Sequence, residues 1–446
     1  MAKFFRVSKK NQALGQVLTA NIERLDLNGC GIARVNKKPI FIAGTLPSET
    51  VKIKVFEQKN KYSRATLVEI IKASDERIPA KCLHYKTCGG CDLQHLHPDK
   101  HIDFKQQKVS ELFARNQYKG YLLWQLPITD NVWHYRRKAR IGVQYDKKGQ
   151  VTLGFRQKST NQLVKVERCL VLVEPLTSIF TPLKLLLQSL TLSKSVGHIE
   201  VIASEIKEKV TTDIITLVIR QLKPLNSVDK ALWQEYALKY HWQVLIDNGE
   251  NITPITENKP LSFDLLDDIT LTFTVNDFIQ INHKVNQKMV EQAMHWLALK
   301  PNDVVLDLFC GLGNFSLPIA KKVKKVVGIE GVTAMVEKAV KNADNNQLTN
   351  CQFYQADLNS LWLDKPWVDQ DFNKVLLDPA RAGALEAVEQ IITLSIDNIL
   401  YVSCDPATLA RDAEYLINNG YHIEKSGIID MFPQTKHVET MVLFSR

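Results

Sequence analysis

Between residues 10 and 72 short apolar runs alternate with turn signals: GQVLTANIERL, GCGIARV, KPIFIAG, TVKIKVFEQ and RATLVEII. Apolar and polar positions follow one another at a period of two, bounded by Gly, Asn and Pro, which is the pattern of strands joined by tight turns. Five such runs predict a small five-stranded barrel. Past residue 80 the pattern is mixed. ARIGVQYD, VTLGFRQ and LVKVERC read as strands around a turn at Lys148-Gly149. HIEVIAS, TDIITLVIR and HWQVLID read as three more, with SVDKALWQEYALKY as a helix before the last. From about residue 276 apolar strands alternate with amphipathic helices, beginning VVLDLF, NFSLPIAKK, KVVGIE, TAMVEKAVKNADNN and continuing to ILYVSC, ATLARDAEYLINN and MVLF. Strands flanked by such helices predict a mostly parallel sheet covered on both faces. The fold class is therefore multidomain α/β, with a β-barrel over 1–73, an α+β domain over 74–275 and a doubly wound domain over 276–446.

Composition adds little until charge is mapped. The chain has 446 residues, 45% hydrophobic and 24% charged, the balance of a globular protein without a membrane span. The start, MAKFFRVSKK, lacks the apolar stretch of a secretory signal, so a cytoplasmic protein, a monomer without membrane contact, is expected. Of the net charge of +9, all lies in residues 1–72, which hold fourteen Lys/Arg against five Asp/Glu. A small basic domain on a neutral body favours a polyanion partner, since phosphate contacts release counterions; a solvated basic surface is the alternative. Tyr135-Arg136-Arg137-Lys138-Ala139-Arg140 adds a second basic segment able to meet phosphates.

Eight cysteines in a cytoplasmic chain point to thiols, metal ligands or catalysts, not disulfides. Cys82, Cys88 and Cys91 crowd within ten residues around Gly89-Gly90. Zinc is one reading, with His84, His95 and His97 available. A [4Fe–4S] cluster is the other, with Cys169 as fourth ligand. Spacing does not separate them.

Asp307-Leu-Phe-Cys-Gly-Leu-Gly-Asn314 follows an apolar strand and precedes a helix, and Glu330 closes the next strand. Gly311 and Gly313 let backbone approach a ligand, and Glu330 can accept ribose hydroxyls. A dinucleotide site would carry a third glycine where Ser316 stands. With Asp307 before the loop and Asp357 later, the constellation favours S-adenosylmethionine over NAD, on the sheet of class I methyltransferases. Asp378-Pro379-Ala380-Arg381 follows the strand KVLL. Enzymes that methylate exocyclic amines carry an aromatic residue at the fourth place; Arg381 argues for carbon methylation instead. Cys404 ends ILYVSC and precedes a helix, which puts its sulfur at the carboxyl edge of the sheet near a helix N-terminus expected to lower its pKa. Cys310 and Cys351 are expected to be buried hydrophobes.

Residues 10–72 resemble a TRAM domain, an RNA-binding barrel. VLLDPARAG, YVSCDPATLARD, DMFPQTKHVETMVLF and NDFIQIN resemble segments of the RNA uracil-5-methyltransferase family, and the likeness spans all three regions. It implies methyl transfer to carbon 5 of a uridine in 23S ribosomal RNA. Cys404 would be the nucleophile that adds to carbon 6, and Glu439 the base. Gln280, Phe309, Asn314, Glu330, Asp357 and Asp378 would contact S-adenosylmethionine. Phe278 would pack against the extruded base, beside phosphate contacts from Arg136, Arg137 and Lys138. The resemblance also implies a [4Fe–4S] cluster on Cys82, Cys88, Cys91 and Cys169. Asp405 departs from the family, where relatives commonly carry Asn, and an acid there is expected to oppose thiolate formation. Methylation of the T-loop uridine of tRNA is the competing activity; a non-catalytic iron–sulfur RNA-binding module competes from another class.

Overall fold

The computed structural model describes residues 14–204, 214–362 and 364–446. The chain forms two compact units. The first takes the chain up to Tyr85, with Cys91–Lys108 and Gln434–Lys436; the second takes Lys86–Gly90, Val109–Pro433 and His437–Arg446.

In the first unit β1 (Val17–Asn21), β2 (Arg24–Leu25), β3 (Cys30–Val35), β4 (Lys38–Ala43), β5 (Thr50–Gln58) and β6 (Ser63–Lys72) make one sheet in the order β1-β5-β6-β4-β3-β2. The period of two is visible in β5, where Val51, Ile53 and Val55 are buried and Lys52, Lys54 and Phe56 face solvent. Five strands were expected and six are present among the described residues, because the first run changes partner midway. The Ile22 amide donates to Glu49 beside β5, and the Glu23 amide donates to Ile32 on β3. Asn36 and Lys37, both at positive φ, supply the two-residue turn between β3 and β4. A second small core joins Leu25 and Leu46 to Leu93, Leu96 and Phe104, the last on α1 (Asp99–Arg115).

In the second unit β7 (Lys138–Tyr145), β8 (Val151–Arg156), β9 (Leu163–Lys165), β10 (Val196–Ser204), β11 (Ile214–Gln221), β12 (Trp242–Asp247) and β13 (Ile252–Pro254) form a sheet in the order β13-β12-β11-β10-β7-β8-β9. α2 (Glu174–Thr177), α3 (Phe180–Ser189) and α4 (Ser227–Tyr240) accompany it. α4 begins on an Asn226 cap and ends at His241 in the left-handed region. A hairpin, β14 (Leu261–Asp264) and β15 (Thr270–Phe273), leads to α5 (His283–Trp296), a helix the sequence reading did not include.

The last sheet holds β16 (Val304–Leu308), β17 (Lys325–Glu330), β18 (Cys351–Gln355), β19 (Lys374–Leu377), β20 (Asn398–Ser403), β21 (His422–Ile429) and β22 (Glu439–Ser445). Its order is β18-β17-β16-β19-β20-β22-β21. α6 (Ser316–Ala320), α7 (Thr333–Asn345), α8 (Leu385–Thr393) and α9 (Pro406–Asn418) supply the crossovers. β16 to β20 run parallel and β22 runs against both β20 and β21. The order reverses between β16 and β19, the point where such sheets open a ligand crevice at the carboxyl ends. The boundary expected at residue 275 crosses a continuous core: Ile202, Val218 and Leu245 of the central sheet share it with Phe273, Met289 and Val305. Among the described residues no helix is long and apolar enough to cross a membrane.

Candidate functional site

Three carboxylates converge at the reversal point. Asp307, on β16 and almost wholly buried, accepts a hydrogen bond from Ser316 Oγ through Oδ2. Burial, then Asp378 and Glu330 nearby, push its carboxyl up to about 7. Asp378, half-buried just past β19, is likewise raised to about 7 by burial. Glu330 at the end of β17 accepts from Gly311 N at 3.2 Å and from Val332 N at 3.0 Å. The backbone between is left-handed at Phe309 (φ 64°), Gly311 (φ 55°) and Gly313 (φ 92°). A side chain on Gly313 would also meet Leu317 Cγ at 3.0 Å. Phe309 holds the same conformation without a glycine's freedom, the kind of strain that persists where surrounding structure fixes it. A crevice that raises two carboxyls towards neutrality suits a cationic ligand, which would restore their charge. S-adenosylmethionine, a sulfonium, fits that donor set.

Asn314 and Asn286 on α5 exchange amide hydrogen bonds of 2.8 and 3.0 Å. Gln280 is half-buried, and its carbonyl accepts from Arg137 Nε at 2.9 Å. Asp357 is exposed, and hydrogen bonds from Asn359 and Ser360 hold its carboxyl below the usual range. Asn286 carried no signal in the sequence, and Ser316 stood out there only as the place of an absent third glycine.

Cys404 follows β20 directly. The antiparallel return strand decides what faces it: Ser403 pairs with Thr440, so the next step along each strand brings Cys404 opposite Glu439. Glu439 is 6% exposed at the start of β22, on the carboxyl edge of the parallel strands. The thiol is pushed up to about 11, first by burial, then by Glu439 and Asp378, against the opposing pull of Arg381. The expectation of a lowered pKa therefore fails in sign, because burial and two acids outweigh the start of α9. Asp405 has a different task from the one expected. Its carboxylate caps α9 by accepting from Ala407 N at 2.9 Å, and the acids that oppose the thiolate are Glu439 and Asp378. Burial also raises Cys310 well above the ordinary value and Cys351 to about 12; Cys310 is buried as expected, whereas Cys351 is only partly buried.

The basic segment divides. Arg140 is exposed and paired with Glu200. Arg136 is half-buried and donates from Nε to Lys138 O. Arg137 turns inward, 5% exposed, with its guanidinium 4.1 Å from the Phe263 ring, and Lys138 Nζ donates to the carbonyls of Val275 and Asp277. Both side chains thus bond to carbonyls within the protein, where phosphate contacts were expected of them. Phe278 projects into solvent, 73% exposed.

Cys82 and Cys91 belong to the first unit, Cys88 and Cys169 to the second. Cys88 and Cys169 each pack against the central-sheet core, and the Gly90 amide donates to Cys88 Sγ at 3.4 Å. Thiols with an amide turned to sulfur suit iron–sulfur ligation chemically. Among the described residues, however, no three His, Cys, Asp or Glu side chains group so as to hold a metal ion.

Residues 98–446 match the family model described as tRNA (Uracil-5-)-methyltransferase, and residues 12–68 match the TRAM domain. The chain is 53% identical to a protein of Colwellia psychrerythraea named 23S rRNA (uracil(1939)-C(5))-methyltransferase RlmD, over 100% of this chain and 99% of the relative. It is 44% identical to the protein of that name from Psychromonas ingrahamii, over 100% of both. Among solved structures, the tRNA (uracil-54, C5)-methyltransferase of Pyrococcus abyssi, in complex with S-adenosyl-L-homocysteine, superposes with a TM-score of 0.73. At 20% identity, over 96% of this chain and 100% of that one, it shares the fold.

Proposed function

This chain belongs to the tRNA (uracil-5-)-methyltransferase family, and from that premise we propose that it methylates carbon 5 of a uridine in 23S ribosomal RNA through a covalent adduct of Cys404. The full-length likeness to proteins named for that ribosomal activity favours it over the tRNA reading. The observation that supports it is the register pairing Ser403 with Thr440, one step from Cys404 and Glu439, at the sheet edge where Glu439 and Asp378 both act on the thiol.

Asp307, Glu330 and Asp378, with Gln280, Phe309, Asn314 and Asp357, would hold S-adenosylmethionine, which supplies a methyl group on a positive sulfur. Carbon 5 of uracil is too weak a nucleophile to take that methyl unaided. Addition of the Cys404 thiolate to carbon 6 breaks the 5,6 double bond and leaves an enolate, and carbon 5 of the enolate takes the methyl. Glu439 then removes the carbon 5 proton, the double bond reforms and the thiolate leaves. A base must leave its stack to reach Cys404, and Phe278 would pack against it.

RNA carrying 5-fluorouridine should trap wild-type protein in a denaturation-resistant adduct, because fluorine at carbon 5 cannot be removed as a proton. Cys404→Ala should form none, while Glu439→Gln should stall as a methylated adduct with ordinary RNA. An adduct from Cys404→Ala rejects the nucleophile. A [4Fe–4S] cluster on Cys82, Cys88, Cys91 and Cys169 is part of the same reading, supported by family resemblance, since the cysteine spacing suits zinc equally. Anaerobically prepared protein should carry about four irons per chain, and stoichiometric zinc would refute the assignment.

A further inference from the structure

Residues 274–282, between β15 and α5, form neither helix nor strand, yet they carry both Phe278 and Gln280. Val275 and Ile279 are buried on either side of the exposed Phe278 ring. Three cations hold this loop, one on β7, one just before it and one on α7. Lys138 Nζ on β7 donates to Val275 O at 2.8 Å and Asp277 O at 3.0 Å. Arg137, beside it, donates from Nε to Gln280 O at 2.9 Å and from its amide to Ile281 O at 3.0 Å. From α7, Lys338 Nζ reaches Asp277 Oδ1 at 2.5 Å and Thr274 Oγ1 at 3.0 Å. Asp277 is 5% exposed, and its other oxygen accepts from the Thr274 amide and hydroxyl.

An exposed aromatic ring on an irregular loop gains little from burial, and chain entropy favours its wandering. Ordering three long cationic side chains has its own entropic cost, offset here by hydrogen bonds that involve charge and are individually strong. We propose that Lys138, Arg137 and Lys338 are positioning residues that clamp residues 274–282 into a rigid platform for the extruded base. The basic residues that resemble phosphate contacts in sequence act instead through Phe278. Lys338 brings α7 into the clamp, and α7 follows β17, whose last residue is Glu330 in the cofactor crevice. One helix thereby joins the base-facing loop to the cofactor side.

The inference rests on Phe278 meeting the base, so the test separates the two. Lys338→Met and Lys338→Arg are compared in the full-length protein by hydrogen–deuterium exchange, RNA kinetics and S-adenosylmethionine titration, with Phe278→Leu and Lys138→Met alongside. Losing one such clamp bond should speed exchange over 274–282 and raise KM for RNA, each roughly tenfold, since a hydrogen bond to a charged group is worth about that factor or more. S-adenosylmethionine affinity should weaken as well, through Gln280 on the same loop, while exchange elsewhere in the chain stays unchanged, a split that general unfolding would not give, and Lys338→Arg should restore KM. If Phe278→Leu raises KM but Lys338→Met and Lys138→Met change neither exchange nor KM, the clamp is wrong and the base contact stands. Faster exchange without a change in KM equally overturns the clamp. If Phe278→Leu leaves KM unchanged, the base contact itself fails and the platform falls with it.

Discussion

Replacing Glu439 by Gln should make Cys404 more reactive towards small reagents even as it ends turnover. The thiol stands at about 11 instead of the ordinary 9.0, with burial the first cause and Glu439 the second. Gln keeps the shape and removes the charge, so the pKa should fall by about one unit, burial and Asp378 holding the rest. At pH 8 the thiolate fraction then climbs from about 0.1% to about 1%. Part of that gain is lost, because a less basic thiolate attacks more slowly, with a Brønsted slope of about 0.4–0.5. The net expectation is roughly threefold faster reaction with an aromatic disulfide at pH 8, and a rate–pH midpoint about one unit lower. The assay follows the mass of the peptide holding Cys404, which separates it from the other seven cysteines. An unchanged profile, or a midpoint moved upward, would mean that Glu439 does not act on the thiol, and the facing geometry would be refuted.

Affinity for S-adenosylmethionine should weaken as pH falls through 7, because Asp307 and Asp378 then take up protons and lose their attraction for a cation. The limit is about tenfold per unit for each group, and calorimetric titration between pH 8 and 5.5 measures it. Asp307 also sets a stability trend: its folded value lies above the unfolded one, so the ligand-free protein loses stability as pH rises from about 4 to about 7, visible as a falling Tm over that window. Gly313→Ala should abolish cofactor binding, since it meets both a left-handed φ and Leu317; an unchanged dissociation constant would place the cofactor elsewhere. Asp405→Asn should leave Cys404 reactivity unaltered, whereas Asp405→Ala should cost about 1 kcal/mol of stability through the lost cap, checked by denaturant unfolding.

Much of this protein is legible one residue after another. Period-two runs marked the strands of both units, and SVDKALWQEYALKY coincides with α4. The run from Asp307 to Asn314 announced a strand, a left-handed crossing and a helix, because glycine conformation and strand hydrophobicity are local properties. The end of a parallel strand fixed Cys404 at the carboxyl edge for the same reason. What needed the fold were quantities that depend on partners far along the chain. Glu439 meets Cys404 only because β22 turns antiparallel beside β20, and a strand's register is chosen by pairing and burial, not by its own sequence. Arg136, Arg137 and Lys138 look alike as letters, yet Arg137 and Lys138 turn to the carbonyls of residues 275–280, and which way a long cation points is settled by whichever acceptors the packed chain leaves within reach. The thiol's rise is of that kind too. A helix start predicts a lowered value from local structure, while desolvation and the convergence of Glu439 and Asp378 exist only once distant strands have closed around the sulfur.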